Sequence, residues 1–205
     1  GLAPMYFKAL LAVPALEILM HRVVWSAVVL GVLIVVFTQS GKVIQACRSP
    51  KILGTLVVSG LILGFNWGLF IWAVNNNHLL EASLGYYINP LFNVLFGFVF
   101  LGERFRRLQK MAVGMAVTGV TILMLTFGDV PFIALALAAS FSIYGLIRKQ
   151  IPVDSMPGLF IETVLMLPFA LLYWLIIDSS TSNFAVNSFA LNTLLILAGV
   201  VTTAP

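Results

Sequence analysis

Apolar residues in this chain come in long unbroken runs parted by short polar joins. They show neither the alternation of a half-buried strand nor the narrow stripe of a water-facing helix. Seven runs, at 15–37, 52–74, 79–101, 109–127, 131–148, 157–177 and from 191 onward, have the length and apolarity to cross a bilayer, which takes ~20 helical residues. Residues 1–11 are apolar but too short to cross alone, and read as the tail of an earlier helix. Backbone polar groups in lipid must pair within their own segment, so each run is expected to be helical. A transmembrane barrel would instead show alternating segments of ~10 residues. The fold class is therefore an all-α polytopic membrane protein.

The joins carry turn chemistry: Gln39-Ser40-Gly41, Asn75-Asn76-Asn77, and Gly128-Asp129-Val130-Pro131. The longest polar join, 178–188, is rich in Ser, Thr and Asn. Composition agrees with the pattern. Only 9% of residues are charged, 61% are hydrophobic and the mean hydropathy is +1.08, whereas soluble domains are about 25% charged.

A net charge of +4 could suggest nucleic acid, but its distribution points elsewhere. Of the 11 Lys and Arg residues, all but Lys8 and Arg22 lie in alternate joins. Lys42, Arg48 and Lys51 occupy one such join, Arg104, Arg106, Arg107 and Lys110 the next, and Arg148 and Lys149 the third. The joins at 75–78, 128–130 and 178–188 have none. The positive-inside rule makes the basic side cytoplasmic, and no nucleic-acid partner is implied. The single cysteine, Cys47, excludes an intrachain disulfide. It falls in the basic loop between Lys42 and Arg48 and reads as a small residue without redox function.

Two stretches echo each other about 140 residues apart. Pro14-Ala15-Leu16-Glu17-Ile18 resembles Pro157-Gly158-Leu159-Phe160-Ile161-Glu162, each following a helix that ends in basic residues (Lys8; Arg148-Lys149). Residues 56–60 find a weaker echo in 195–199. A five-helix repeat unit follows from this spacing, and an odd number inverts the second copy in the membrane. The expected domains are 1–127, a first unit lacking the start of its first helix, and 131–205, a second unit truncated in its third. With no initiator Met, no visible signal peptide and apolar runs at both ends, the chain reads as a piece of a longer protein.

Ionisable groups inside a span cost roughly 3 kcal/mol or more at mid-bilayer, and so read as functional. Glu17 and His21, four residues apart, share one face of the 15–37 span, with Arg22 one step round. Arg22 lies only ~10 Å from the outer end of its helix, so snorkelling competes with a buried role. The pair Glu17–His21 suits solute or proton contact, or a structural ion pair. His78 is the only other histidine, so a metal site is not expected.

In the 79–101 span, Pro90 removes an amide donor and predicts a kink. Tyr86, Asn89 and Asn93 recur beside it on one face, as cavity lining or as an interhelical hydrogen-bond seam. Gly60, Gly64 and Gly68 form a small-residue stripe suited to helix packing, with Asn66 and Trp67 at mid-span. Glu162 stands about one turn inside the cytoplasmic end of its span, as the inverted counterpart of Glu17. Tyr144 reads as a belt or core aromatic. The chain carries no HExxH, GxSxG, P-loop or cysteine–histidine cluster, so neither an enzyme nor a cofactor is implied.

Leu101-Gly102-Glu103-Arg104, closing a proline-bearing helix and followed by Gly114 and Gly119, resembles the EamA repeat of the drug/metabolite transporter superfamily. Longer strings are similar to the RarD group within it: Asn66-Trp67-Gly-Leu-Phe-Ile-Trp-Ala-Val-Asn75-Asn, Glu81-Ala-Ser-Leu-Gly-Tyr-Tyr-Ile-Asn-Pro90-Leu, and Gly-Glu103-Arg-Phe-Arg-Arg. Ala3-Pro4-Met-Tyr-Phe-Lys8 and Glu17-Ile-Leu-Met-His21-Arg22-Val-Val-Trp25 fit as well. The resemblance implies ten helices in two inverted halves, both termini cytoplasmic, in a bacterial inner membrane. It also implies a permease associated with chloramphenicol sensitivity. The expected function is secondary transport of a small organic solute by alternating access. Glu17, His21, Arg22, Asn66, Trp67, Tyr86, Asn89, Asn93 and Glu162 are the expected cavity residues. The expected partners are the lipid bilayer, the solute and, as one oligomeric option, a second copy of the chain. The rival reading is a structural or assembly subunit whose polar residues only hold helices together.

Overall fold

Each long apolar run forms a helix in the computed structural model, which describes residues 6, 9, 10, 12–102, 104, 107–127, 131–176, 184 and 187–203. In chain order the helices are α1 (Ala15–Val36), α2 (Ser40–Cys47), α3 (Pro50–Asn75), α4 (Leu79–Leu101), α5 (Arg107–Phe127), α6 (Phe132–Gln150), α7 (Ser155–Ile176) and α8 (Phe189–Thr203). No strand occurs among the described residues. The fold is all-helical, as the continuous apolar runs require.

Local chemistry sets the helix ends. Pro14 precedes α1, where its missing N–H costs nothing. Ser49 caps α3, its hydroxyl accepting from the Ile52 amide, with Pro50 opening the helix. Gly102 ends α4 at φ 65°, a left-handed conformation that glycine adopts without a Cβ clash. Helix α4 runs on through Pro90, and α7 through Pro168.

Helices α1, α3, α4, α6 and α7 are long and apolar enough to cross a membrane, and α8 is a shorter apolar helix. The expected span at 109–127 corresponds to α5. Its strongly polar residues, Arg107, Gln109 and Lys110, are confined to the first turn. Farther along, the hydroxyls of Thr118, Thr121 and Thr126 donate back to the carbonyls of Gly114, Val117 and Ile122, which masks their polarity from surrounding hydrocarbon. Helix α5 packs chiefly against α4, with Val120 also reaching the cluster that includes Ala134 and Ala138 of α6. Between α4 and α5, and against Leu135 of α6, runs an apolar groove of about 390 Å³.

The bundle is assembled by interleaving. Helix α4 lies along α6, α1 lies along both α8 and α7, and α3 lies along α6 and α7. Small residues set these approaches. A Cβ on Gly60 would stand 3.4 Å from the Glu162 side chain on α7, and one on Gly68 would stand 3.2 Å from Leu19 on α1. The glycine stripe of α3 is thus a packing face. Polarity runs opposite to that of a water-soluble protein. Glu17, His21, Ser59, Glu162 and Thr163 are fully buried, whereas Leu175 and Phe189 are 84% and 88% exposed. Such a surface is stable only against hydrocarbon.

The join at 39–51 holds a feature that sequence pattern did not anticipate. Residues placed in a basic loop form α2, ending at Cys47, with Ala46 buried against Leu56, Ile151 and Ile161. Two turns are too short for periodicity to reveal. Lys42 on α2 pairs with Asp154 at 2.6 Å, but both side chains are more than half exposed. Lys42→Ala is therefore expected to change stability by less than about 1 kcal/mol, measured as thermal unfolding in detergent.

Candidate functional site

The polar residues inside the bundle form separate clusters rather than one. The first is built on α1. Its 3.6-residue repeat puts Glu17 and His21 on one side, where Glu17 acts electrostatically on the imidazole. His21 is enclosed by aromatic rings, Trp174 of α7 at 4.8 Å between centroids and Phe184 at 5.4 Å. Phe184 is held in place by Asn192 of α8, whose side-chain amide donates to its carbonyl at 2.7 Å, and it also meets Trp25 edge-on at 6.3 Å. Neither ring nitrogen of His21 has a hydrogen-bond partner among the described residues, nor do the indole N–H groups of Trp25 and Trp174.

Arg22 points to the other side of α1, into the gap toward α3 and α4. Its guanidinium carbon stands 3.8 Å above the Trp67 ring, a cation–π contact. The phenols of Tyr6 and Tyr86 lie within electrostatic reach of it. Tyr86 packs edge-on against Phe70 of α3 at 5.8 Å and remains 64% exposed, whereas Arg22 is only 8% exposed. Tyr6 donates its hydroxyl proton to the carbonyl of Leu194, tying the start of the chain to α8.

A second cluster surrounds Glu162. Ser59 of α3 donates to Oε1 at 2.5 Å and Tyr144 of α6 donates to Oε2 at 3.1 Å, while Arg148 Nε lies 3.8 Å from Oε1. Arg148 in turn donates to the carbonyls of Asp154 and Ser155, and so ties α6 to the start of α7. Ser59 and Trp67, which mark the two clusters on α3, are separated by about 12 Å of helix rise. Glu162 therefore does not adjoin Arg22.

The asparagines form a third group, a seam against α6. Asn66 donates to the Leu137 carbonyl and the Ser140 hydroxyl, both at 2.9 Å. Ser142 donates to Asn89 Oδ1 at 2.7 Å. Asn93 faces Gly145. Of the expected cavity residues, the structure thus gathers Arg22, Trp67 and Tyr86, and beside them Glu17 with His21. Asn66, Asn89 and Asn93 lie on the α6 seam, and Glu162 lies in its own network.

Sequence reasoning missed Ser59, Arg148, Trp25 and Trp174; Tyr144, read as a belt or core aromatic, does pack against the core, and its hydroxyl also serves Glu162. Arg148 was counted as a join residue because it sits in the last turn of α6. The one available signal was the run of polar groups at 140, 142, 144 and 148.

Residues 1–125 match the model of the EamA-like transporter family. The chain belongs to that family. Within it, this EamA-family chain falls in the RarD group. It is 56% identical to an uncharacterized transporter of Vibrio cholerae over all of this chain and 68% of that protein. It is 52% identical to Protein RarD of Escherichia coli K12 over all of this chain and 70% of that protein. A Pseudomonas aeruginosa relative named chloramphenicol-sensitive protein RarD is 36% identical over 84% of this chain and 60% of its own length. No solved structure matches the chain. The EamA-family chain is therefore a multi-pass bacterial membrane transporter and not an enzyme.

Proposed function

We propose that this transporter moves a small organic solute across the bacterial inner membrane by alternating access, with its basic joins cytoplasmic. One observation carries the reading. Arg22, His21, Trp25 and Trp174 hold hydrogen-bonding atoms inside the bundle that no described residue uses. Buried polar atoms are normally satisfied, and a solute with polar groups on an aromatic or apolar body would satisfy these. In this reading residues 1–127 and 131–205 are the two inverted repeats, and rocking one against the other opens the site to either side. Helix pairing supports the repeat. The contact of α1 with α8 is matched by that of α7 with α3, each joining the second helix of one unit to the third of the other. Gly199 approaches the α1 backbone at Trp25 and Ser26, and Gly60 approaches the α7 backbone at Glu162.

Uptake of radiolabelled solutes into proteoliposomes, with chloramphenicol and amino-acid-like metabolites among them, tests the proposal. Saturable uptake supports it. No uptake of any solute by correctly inserted protein favours the assembly-subunit reading, which draws on Asn66 and Asn89, whose hydrogen bonds hold helices together.

Coupling is assigned to Glu17 and His21, ionisable groups one helical turn apart and buried inside the bundle. A pH gradient is expected to drive uptake by the native protein but not by Glu17→Gln or His21→Ala protein that inserts normally. Proton-driven uptake persisting in both variants rejects the assignment.

A further inference from the structure

We infer that the solute is an anion with an apolar or aromatic body, and that Arg22 binds its carboxylate or equivalent group. This rests on the transport reading above and narrows it to a class of solute. A guanidinium keeps its charge at any physiological pH, and a buried charge is costly unless it is paired. Arg22 is 8% exposed, and its Nε is buried without a hydrogen-bond partner. The ion pairs among the described residues are Lys42–Asp154, His78–Glu81 and Arg148–Glu162, and Arg22 is in none of them.

The surroundings of Arg22 offer little compensation. The Trp67 ring face contributes a cation–π attraction but no formal counter-charge. Tyr6 and Tyr86 are neutral phenols at cellular pH. Glu17, five residues earlier on α1, projects about 140° round the helix from Arg22, toward the His21 side. Among the described residues, therefore, no counter-charge pairs with this buried cation. A guanidinium held over an indole keeps its N–H fork available for two parallel bonds to a carboxylate. Trp67, Phe70 and Tyr86 supply an aromatic wall beside it, which fits an apolar or aromatic body. The phosphate of an anionic lipid shares this chemistry, so the test must separate the two sources.

The intact protein in phosphatidylcholine nanodiscs should be titrated with phenylacetate, indole-3-acetate and N-acetylphenylalanine, each beside its uncharged amide. At least one carboxylate is expected to bind about tenfold or more tightly than its amide. Arg22→Gln should abolish that preference, and Arg22→Lys should keep part of it. The native comparison and Arg22→Lys decide the matter if Arg22→Gln fails to fold. Equal binding of acids and amides by the native protein overturns the anion assignment but leaves the solute site standing. Binding of neither overturns both. Loss of the acid preference on adding phosphatidylglycerol, with amide binding unchanged, assigns Arg22 to a lipid headgroup and also overturns the inference.

Discussion

Gly199→Ala is expected to cost about 3 kcal/mol of stability, at the upper end of what overpacking usually exacts, whereas Gly114→Ala on α5 should cost nothing. A Cβ on Gly199 would stand 2.4 Å from the carbonyl carbon of Trp25 and 2.6 Å from the amide nitrogen of Ser26. Both are backbone atoms of α1, so no side-chain rotation relieves the clash. The helices must part by about 1 Å, which loosens the dense contact that dispersion forces need. That separation would also pull Trp25 away from Phe184 and open the aromatic enclosure of His21. At Gly114 a Cβ would meet nothing within 4 Å, and alanine is the better helix former. Thermal unfolding of both variants in one detergent makes the comparison. Equal stability would mean that α1 and α8 do not meet at Gly199.

The second large effect is expected at Glu162. Glu162→Ala removes the acceptor for Ser59 and Tyr144 and the counter-charge of Arg148, leaving a mostly buried guanidinium. Breaking a buried pair from one side typically costs 3–5 kcal/mol. A value near the lower end, roughly 3 kcal/mol, is expected here because Arg148 keeps the Asp154 and Ser155 carbonyls as acceptors. Glu162→Gln keeps an acceptor for Ser59 and should recover part of the loss. Chemical unfolding of the alanine and glutamine variants tests this. If both match the native protein, Glu162 does not hold the network together.

These two positions show where sequence reading stopped. The spans were legible because hydrocarbon demands continuous apolar runs of fixed length, and no neighbour is needed to recognise one. Glu17, His21 and Arg22 were legible for the complementary reason, that an ionisable group inside such a run is costly wherever it points. The facing of the asparagines was not. Asn66 meets Leu137 and Ser140, and Asn89 meets Ser142, across sequence separations of 71, 74 and 53 residues. Which helix comes to lie against which face is decided by the packing of the whole bundle. Helix α2 escaped for another reason: it has eight residues and one buried side chain, too little for a periodic signal. Arg148 shows how a rule can hide a role. Counting it toward membrane orientation left no reason to look for its contact with Glu162. Gly199 stood out only as the end of the 195–199 echo, and its contact with α1 was not legible, since closeness to a backbone leaves no trace in composition.

Solute counterflow in proteoliposomes puts the carrier mechanism to its most direct test. A site reached from one side at a time predicts that unlabelled solute loaded inside the vesicles accelerates entry of labelled solute from outside, with saturation. Entry that rises linearly with concentration and ignores the internal solute would contradict it.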